Sequence, residues 1–291
     1  MKIYLPLLYS ENIKRPGKKY FLNNIIGEDF IILLLSFTCY SSFPLLNAIG
    51  LFLLQLSFWC IYELGYIEND RVGEKFEDKA VLSYRYQSDK CSFYLWQPWV
   101  YSLVLSFLGI VVLSQEIAVS NNYVYTILVG QYSYNLAEIL KSWLLWSVFL
   151  LVLRILFYIY NYINKQSRMW FYSLLQTCRY GGYLVLVSSN IVGLAFLLSV
   201  VVTRSFQYIL YRYLGGESGS WPIDFPKYFF YFFIYLLLLI LIAANERNLL
   251  IIINFPVLLA VFFCFVKGRN HFYKIFSQLI HISKDGSSKI N

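Results

Sequence analysis

The sequence has 291 residues, 59% of them hydrophobic and only 14% charged, with a formal net charge of +8. Its longest polar gap, from Ile67 to Gln97, is too short to hold a soluble domain. The only histidines, His271 and His281, lie in the tail, so histidine catalysis or histidine metal binding within the apolar body is excluded. The five cysteines show no CxxC spacing and read as small hydrophobes.

In chain order, "MKIYLPLLYSENIKRPGKK" is too polar after Tyr9 for a cleavable signal, and residues 1–26 read as an interfacial lead-in. Apolar runs then approach or reach the roughly 20 residues needed to cross a bilayer core. Breaks at Ser41-Ser42-Phe43-Pro44 and Ser188-Ser189-Asn190 divide them into spans near 27–43, 45–66, 97–118, 139–162, 168–187, 189–206, 227–244 and 248–266. The strand alternation of a membrane barrel is absent, and a helix alone satisfies its own backbone in lipid within one continuous segment. The expected fold is therefore all-α: one polytopic bundle of about eight spans over 27–266. A ninth span around "YVYTILVGQYSY" would invert every later loop and is rejected.

With the N-terminus inside, Lys and Arg collect on one side, as cytoplasmic loops require. Lys14, Arg15, Lys18, Lys19, Arg71, Lys75, Lys165, Arg168, Arg212 and Lys267 all fall there, and both termini are expected to be cytoplasmic. Residues 267–291 place Phe272, Ile275, Phe276 and Leu279 on one face, the pattern of a helix lying on the membrane surface. The scattered positive charge suits anionic headgroups and argues against nucleic acid as a partner.

The charges behind the second span are segregated. If that helix continues past Tyr66, Asp70, Glu74, Glu77 and Asp78 share one side, while Arg71, Lys75 and Lys79 form the adjacent row. Like charges at i, i+4 cost a few tenths of a kcal/mol per pair. The rows make sense if a divalent cation sits on the acids and a phosphate beside the bases, since Mg²⁺ takes carboxylate and phosphate oxygens. The plainer reading is a charged cytoplasmic loop, and Gly73 lets the segment unwind. Within the spans, Glu63 and Arg154 are costly unless paired or functional, and pairing with one another is one expected fate. Arg179-Tyr180-Gly181-Gly182 reads as close helix packing, and Glu116 and Glu138 as loop charges.

"GYIENDRVGEKFEDK" resembles the first aspartate-rich motif of the UbiA-type intramembrane prenyltransferase superfamily, Asn-Asp-x-x-Asp-x-x-x-Asp after the second span. Asn69 and Asp70 match it, Glu77 replaces the last Asp, Gly73 stands at the middle Asp, and Glu74 is one residue away. The resemblance implies transfer of a prenyl group from a prenyl diphosphate to an aromatic or other lipid-accessible acceptor. Mg²⁺ would be held between this motif and a second one after the sixth span, where only Glu217 and Asp224 are offered. Asp70, Glu74 and Glu77 are then the catalytic candidates, joined as metal ligands by Asn69, Glu217 and Asp224. Asn69, Lys75, Lys79 and Arg154 are the candidates to hold the diphosphate. A bacterial inner or organellar membrane is the expected location. The rival reading, favoured by Gly73 and the thin second motif, is a non-catalytic relative that binds an isoprenoid lipid or scaffolds a complex.

Overall fold

The computed structural model describes residues 3–77, 80–88, 93–119, 122–130, 135–216, 221–222 and 224–287, of which Tyr123 and 278–287 only as backbone. The described residues form helices and no strands. A five-residue π-turn (Ser10–Lys14) and a π-helix (Phe21–Phe30) precede α1 (Ile31–Ser36). Then follow α2 (Pro44–Phe76), α3 (Tyr84–Ser88), α4 (Gln97–Val119), α5 (Tyr123–Val129) and α6 (Leu136–Tyr162). The chain closes with α7 (Arg168–Gly181), α8 (Ile191–Tyr213), α9 (Lys227–Asn245) and α10 (Phe255–Ser287).

Local chemistry sets the boundaries. Pro44 opens α2 at a position where its missing N–H is no loss. Asn135 and Asn190 cap α6 and α8, each side-chain oxygen accepting from a backbone N–H three residues on. Six helical stretches are long and apolar enough to cross a membrane: Phe21–Tyr40, Pro44–Phe76, Gln97–Val119, Leu136–Tyr162, Ile191–Tyr213 and Lys227–Asn245. Exposed Leu140, Leu144, Leu151 and Ile155 give α6 an apolar outer stripe, as a bilayer-facing helix needs. This is the make-up of a multi-pass membrane protein.

Two expectations change and one stands. The 168–187 stretch is a 14-residue helix followed by a 3-10 turn, Gly182–Val185, because Gly181-Gly182 ends the α-helical winding. α5, inside the stretch rejected as a ninth span, has 7 residues and is indeed too short to cross. The tail is not a separate element: α10 runs unbroken from Phe255 to Ser287, with Phe272 buried against Phe229, Phe232 and Phe265.

α2 is the spine, packed most extensively on α4 and next on α6. Small residues permit the approach. A methyl group at Gly50 would meet Leu113 of α4 at 2.3 Å, and one at Gly65 would meet the Phe157 ring of α6 at 2.3 Å. The core between these helices is aromatic, with Phe58, Trp59, Tyr62, Trp146, Phe157 and Tyr183 all buried. Tyr62 meets Phe157 edge-on at 4.6 Å between centroids.

Candidate functional site

The C-terminal part of α2, from Glu63 to the C-cap Glu77, carries most of the candidate residues and sends them to two different faces. On the first face lies the N-terminal segment, which is not a surface lead-in: Tyr4, Leu7, Tyr9 and Tyr20 are buried. The cause is the fully buried Glu63, whose carboxylate accepts from Tyr4 Oη at 2.7 Å, Leu7 N at 2.8 Å and Ser10 N at 2.7 Å. Asp70, two turns on, is also buried. One of its oxygens accepts from the Tyr9 hydroxyl at 2.6 Å, and the other is paired with the Lys14 ammonium. Glu74 accepts from the Tyr86 hydroxyl of α3 at 3.0 Å.

The second face meets α6 and α7. Arg154 pairs with Glu68 at 2.7 Å, not with Glu63. Asn161 donates to the same Glu68 oxygen at 3.0 Å and accepts from Asn69 at 3.1 Å. Glu77 accepts from Arg168 at 2.6 Å and lies 3.6 Å from Lys165.

Between α2 and α6 opens a cleft of about 460 Å³ that brings Lys75 and Arg154 together with Arg71 around Glu68, against an apolar wall that includes Leu64, Ile67 and Leu95. Val72, Phe76 and Tyr162 line both it and a neighbouring cleft of about 420 Å³, whose lining also includes Glu77, Asn161, Lys165 and Arg168. Across the two, five cations (Arg71, Lys75, Arg154, Lys165, Arg168) face two carboxylates (Glu68, Glu77), so the pair of clefts is net positive.

Burial pushes the Glu77 carboxyl up, but the Arg168 hydrogen bond and charge, with Lys165 and Arg212, outweigh it and hold the group below the ordinary carboxylate value. A carboxyl lowered on folding contributes stability above its unfolded pKa of about 4.3 and loses it as pH falls through the folded value. Thermal melts from pH 5 downward are therefore expected to fall more steeply for wild type than for Glu77→Gln. Equal slopes would remove the Glu77–Arg168 pair as a source of acid sensitivity.

The candidates do not converge as the acidic row suggested. Asp70 and Glu74 face the N-terminal segment and α3, while Asn69 and Glu77 face α6 and α7. Asp224 is 92% exposed, 3.7 Å from Lys274. Glu217 and Lys79 lie outside the described residues. Among the described residues no three His, Cys, Asp or Glu side chains gather as a metal site. So arranged, the described acids do not fit the Mg²⁺ that the resemblance implies.

A second charged cluster escaped sequence reading. Glu28 and Asp29, adjacent in the π-helix, are both buried. Glu28 pairs with Arg204 at 2.6 Å and Lys227 at 2.8 Å. Asp29 accepts from Arg179 Nε at 3.0 Å and from the Tyr180 hydroxyl at 2.7 Å. The i→i+5 winding narrows the angular step between neighbours, which helps two consecutive acids face one side. The available signal was "GEDF" abutting an apolar run. Arg179 is thus a buried ion-pair partner as well as a packing residue. Glu116 is likewise no loop charge: it is buried and accepts from Phe43 N at 3.2 Å.

No family model matches the sequence, no curated protein matches it, and no solved structure matches the fold.

Proposed function

We propose that the protein is a membrane-embedded binder of an isoprenoid lipid with an anionic, diphosphate-class headgroup, received in the α2–α6 cleft. The observation that carries this reading is the cleft's amphipathic make-up: Arg71, Lys75 and Arg154 gather at an apolar wall. Lys and Arg supply the charge a diphosphate needs, and Arg adds a forked donor. Leu64, Ile67 and Leu95 offer a surface for the first isoprene units.

Prenyl transfer to an aromatic or other lipid-accessible acceptor is the second reading, favoured by Asn69-Asp70 standing near the inner end of α2 in a sequence resembling the UbiA-type motif. In either case both termini lie on the cytoplasmic side of a bacterial inner or organellar membrane. On this reading two further crossings join the six long helices. Arg168 opens α7 beside Glu77, whereas the Leu184 carbonyl beyond its other end accepts from Asn122 at 3.0 Å, which supports reading this short unit as a crossing. α10 starts beyond the far end of α9 and returns Phe272 to Phe229 near the α9 start.

Binding of farnesyl diphosphate to purified protein tests the reading. Lys75→Gln and Arg71→Gln are each expected to weaken it about tenfold, equivalent to roughly 1.4 kcal/mol, with farnesol binding unchanged. Unaltered diphosphate binding in both variants would overturn the cleft assignment. Acceptor-dependent release of diphosphate would select the transfer reading.

A further inference from the structure

The mismatch between the acids of residues 69–77 and a divalent cation has a specific cause at Asp70. This carboxylate is 3% exposed, and both oxygens are engaged by one segment, the Tyr9 hydroxyl on one and the Lys14 ammonium on the other. Lys14 itself is only 19% exposed and also stands 5.8 Å from the Tyr66 ring centroid. Its placement is fixed from both sides. Upstream, Glu63 holds Leu7 and Ser10 by their backbone N–H groups. Downstream, Arg15 lies 4.1 Å over the ring of buried Tyr20, which meets Trp59 edge-on. Ser83, after α2, donates to the Ile13 carbonyl.

We propose that Lys14 is a built-in counter-ion for Asp70, occupying the place on that carboxylate where a divalent cation would bind, so that the inner end of α2 carries its own charge compensation. A buried carboxylate is costly unless it is paired or fully hydrogen-bonded, and at Asp70 an ammonium with three donors supplies the pairing charge without metal. Removing it leaves Asp70 buried and uncompensated, with Glu74 one helical turn further on. Hard divalent ions are commonly held by one or two carboxylates and several waters. Loss of Lys14 therefore converts this point into a cation site. The inference goes beyond the lipid reading and holds or fails without any lipid present.

The test uses the full-length protein in detergent with Mn²⁺ as the probe, read by depletion of the free-ion electron paramagnetic resonance signal and by thermal melting. Wild type is expected to take up no Mn²⁺ at sub-millimolar concentration. Lys14→Ala is expected to melt lower than wild type, to bind about one Mn²⁺, and to recover stability when the ion is added. Both effects should vanish in Lys14→Ala combined with Asp70→Asn. Lys14→Arg keeps the cation and should behave as wild type, and Lys14→Gln serves in place of alanine if that variant does not fold. Mn²⁺ uptake by wild type that Asp70→Asn abolishes would overturn the proposal. So would a folded Lys14→Ala or Lys14→Gln protein that gains no Mn²⁺.

Discussion

Replacing Glu63 with Ala releases the N-terminal segment from α2. The substitution leaves Leu7 N, Ser10 N and the Tyr4 hydroxyl without the acceptor they now share in a fully buried position. Orphaning a buried donor costs about 1–3 kcal/mol, so the three together set an expected loss of roughly 3 kcal/mol or more. Leu7 adds to the penalty of staying in place. Its φ of 69° lies in the left-handed region that a branched side chain adopts only when its surroundings impose it. Hydrogen exchange is the direct measurement: amides 7–14 should be protected in wild type and exchange freely in Glu63→Ala. Glu63→Gln should fall between, since one amide oxygen serves at most two of the three donors. Protection that survives in Glu63→Ala would mean that the buried tyrosines and the Asp70 contacts to Tyr9 and Lys14 dock the segment without Glu63.

The second large effect is expected at Arg179. Removing one member of a buried ion pair costs about 3–5 kcal/mol because its partner's charge is stranded. Arg179→Met strands Asp29, which keeps the Tyr180 hydroxyl and a 3.6 Å approach from Arg204. Thermal unfolding in detergent should fall sharply for Arg179→Met. It should recover much of the loss when Asp29→Leu is added, because the apolar pair then replaces the ionic one at similar volume. A double variant no better than the single one would assign Arg179 a role outside this pair, such as its contact 4.8 Å over the Trp59 ring.

These two sites mark the limit of what the sequence discloses. Apolar runs of 20 residues or more announce themselves, and the breaks at Pro44 and Asn190 are visible as cap chemistry, so α4, α6 and α9 and the starts of α2 and α8 fall within a few residues of expectation, whereas α2 runs on to Phe76 and α8 to Tyr213, beyond the expected ends at 66 and 206. The docking of residues 4–14 is invisible because that stretch has no period and no cap. Its structure is dictated by Glu63, more than fifty positions away. The helix does continue past Tyr66, as far as Phe76, which is the condition on which the rows of charge depend and not the charged loop of the plainer reading. What the helical wheel could not supply was the set of cations brought from elsewhere: Lys14 from before the helix, and Arg154 and Arg168 from well after it. Lys75 and Arg154 do share one cleft, but as neighbours of Glu68 and without a common row of acids.

The π-helical stretch with Glu28 and Asp29 also constrains the order in which the protein can assemble. Chains are made from the N-terminus, and early segments must wait for late ones. Asp70 and Tyr9 are 61 residues apart, with the donor synthesised first, so that carboxylate meets its partner as soon as α2 is laid down. Asp29 must wait 150 residues for Arg179, and Glu28 199 residues for Lys227. Until then the first membrane stretch carries two carboxylates without their native cations, an unfavourable state for insertion. A nascent chain truncated before Arg179 should therefore hold its first segment only loosely in the bilayer, and labelling of a cysteine introduced beside Glu28 by a water-soluble thiol reagent in staged translation products should decline as α7, α8 and the start of α9 emerge.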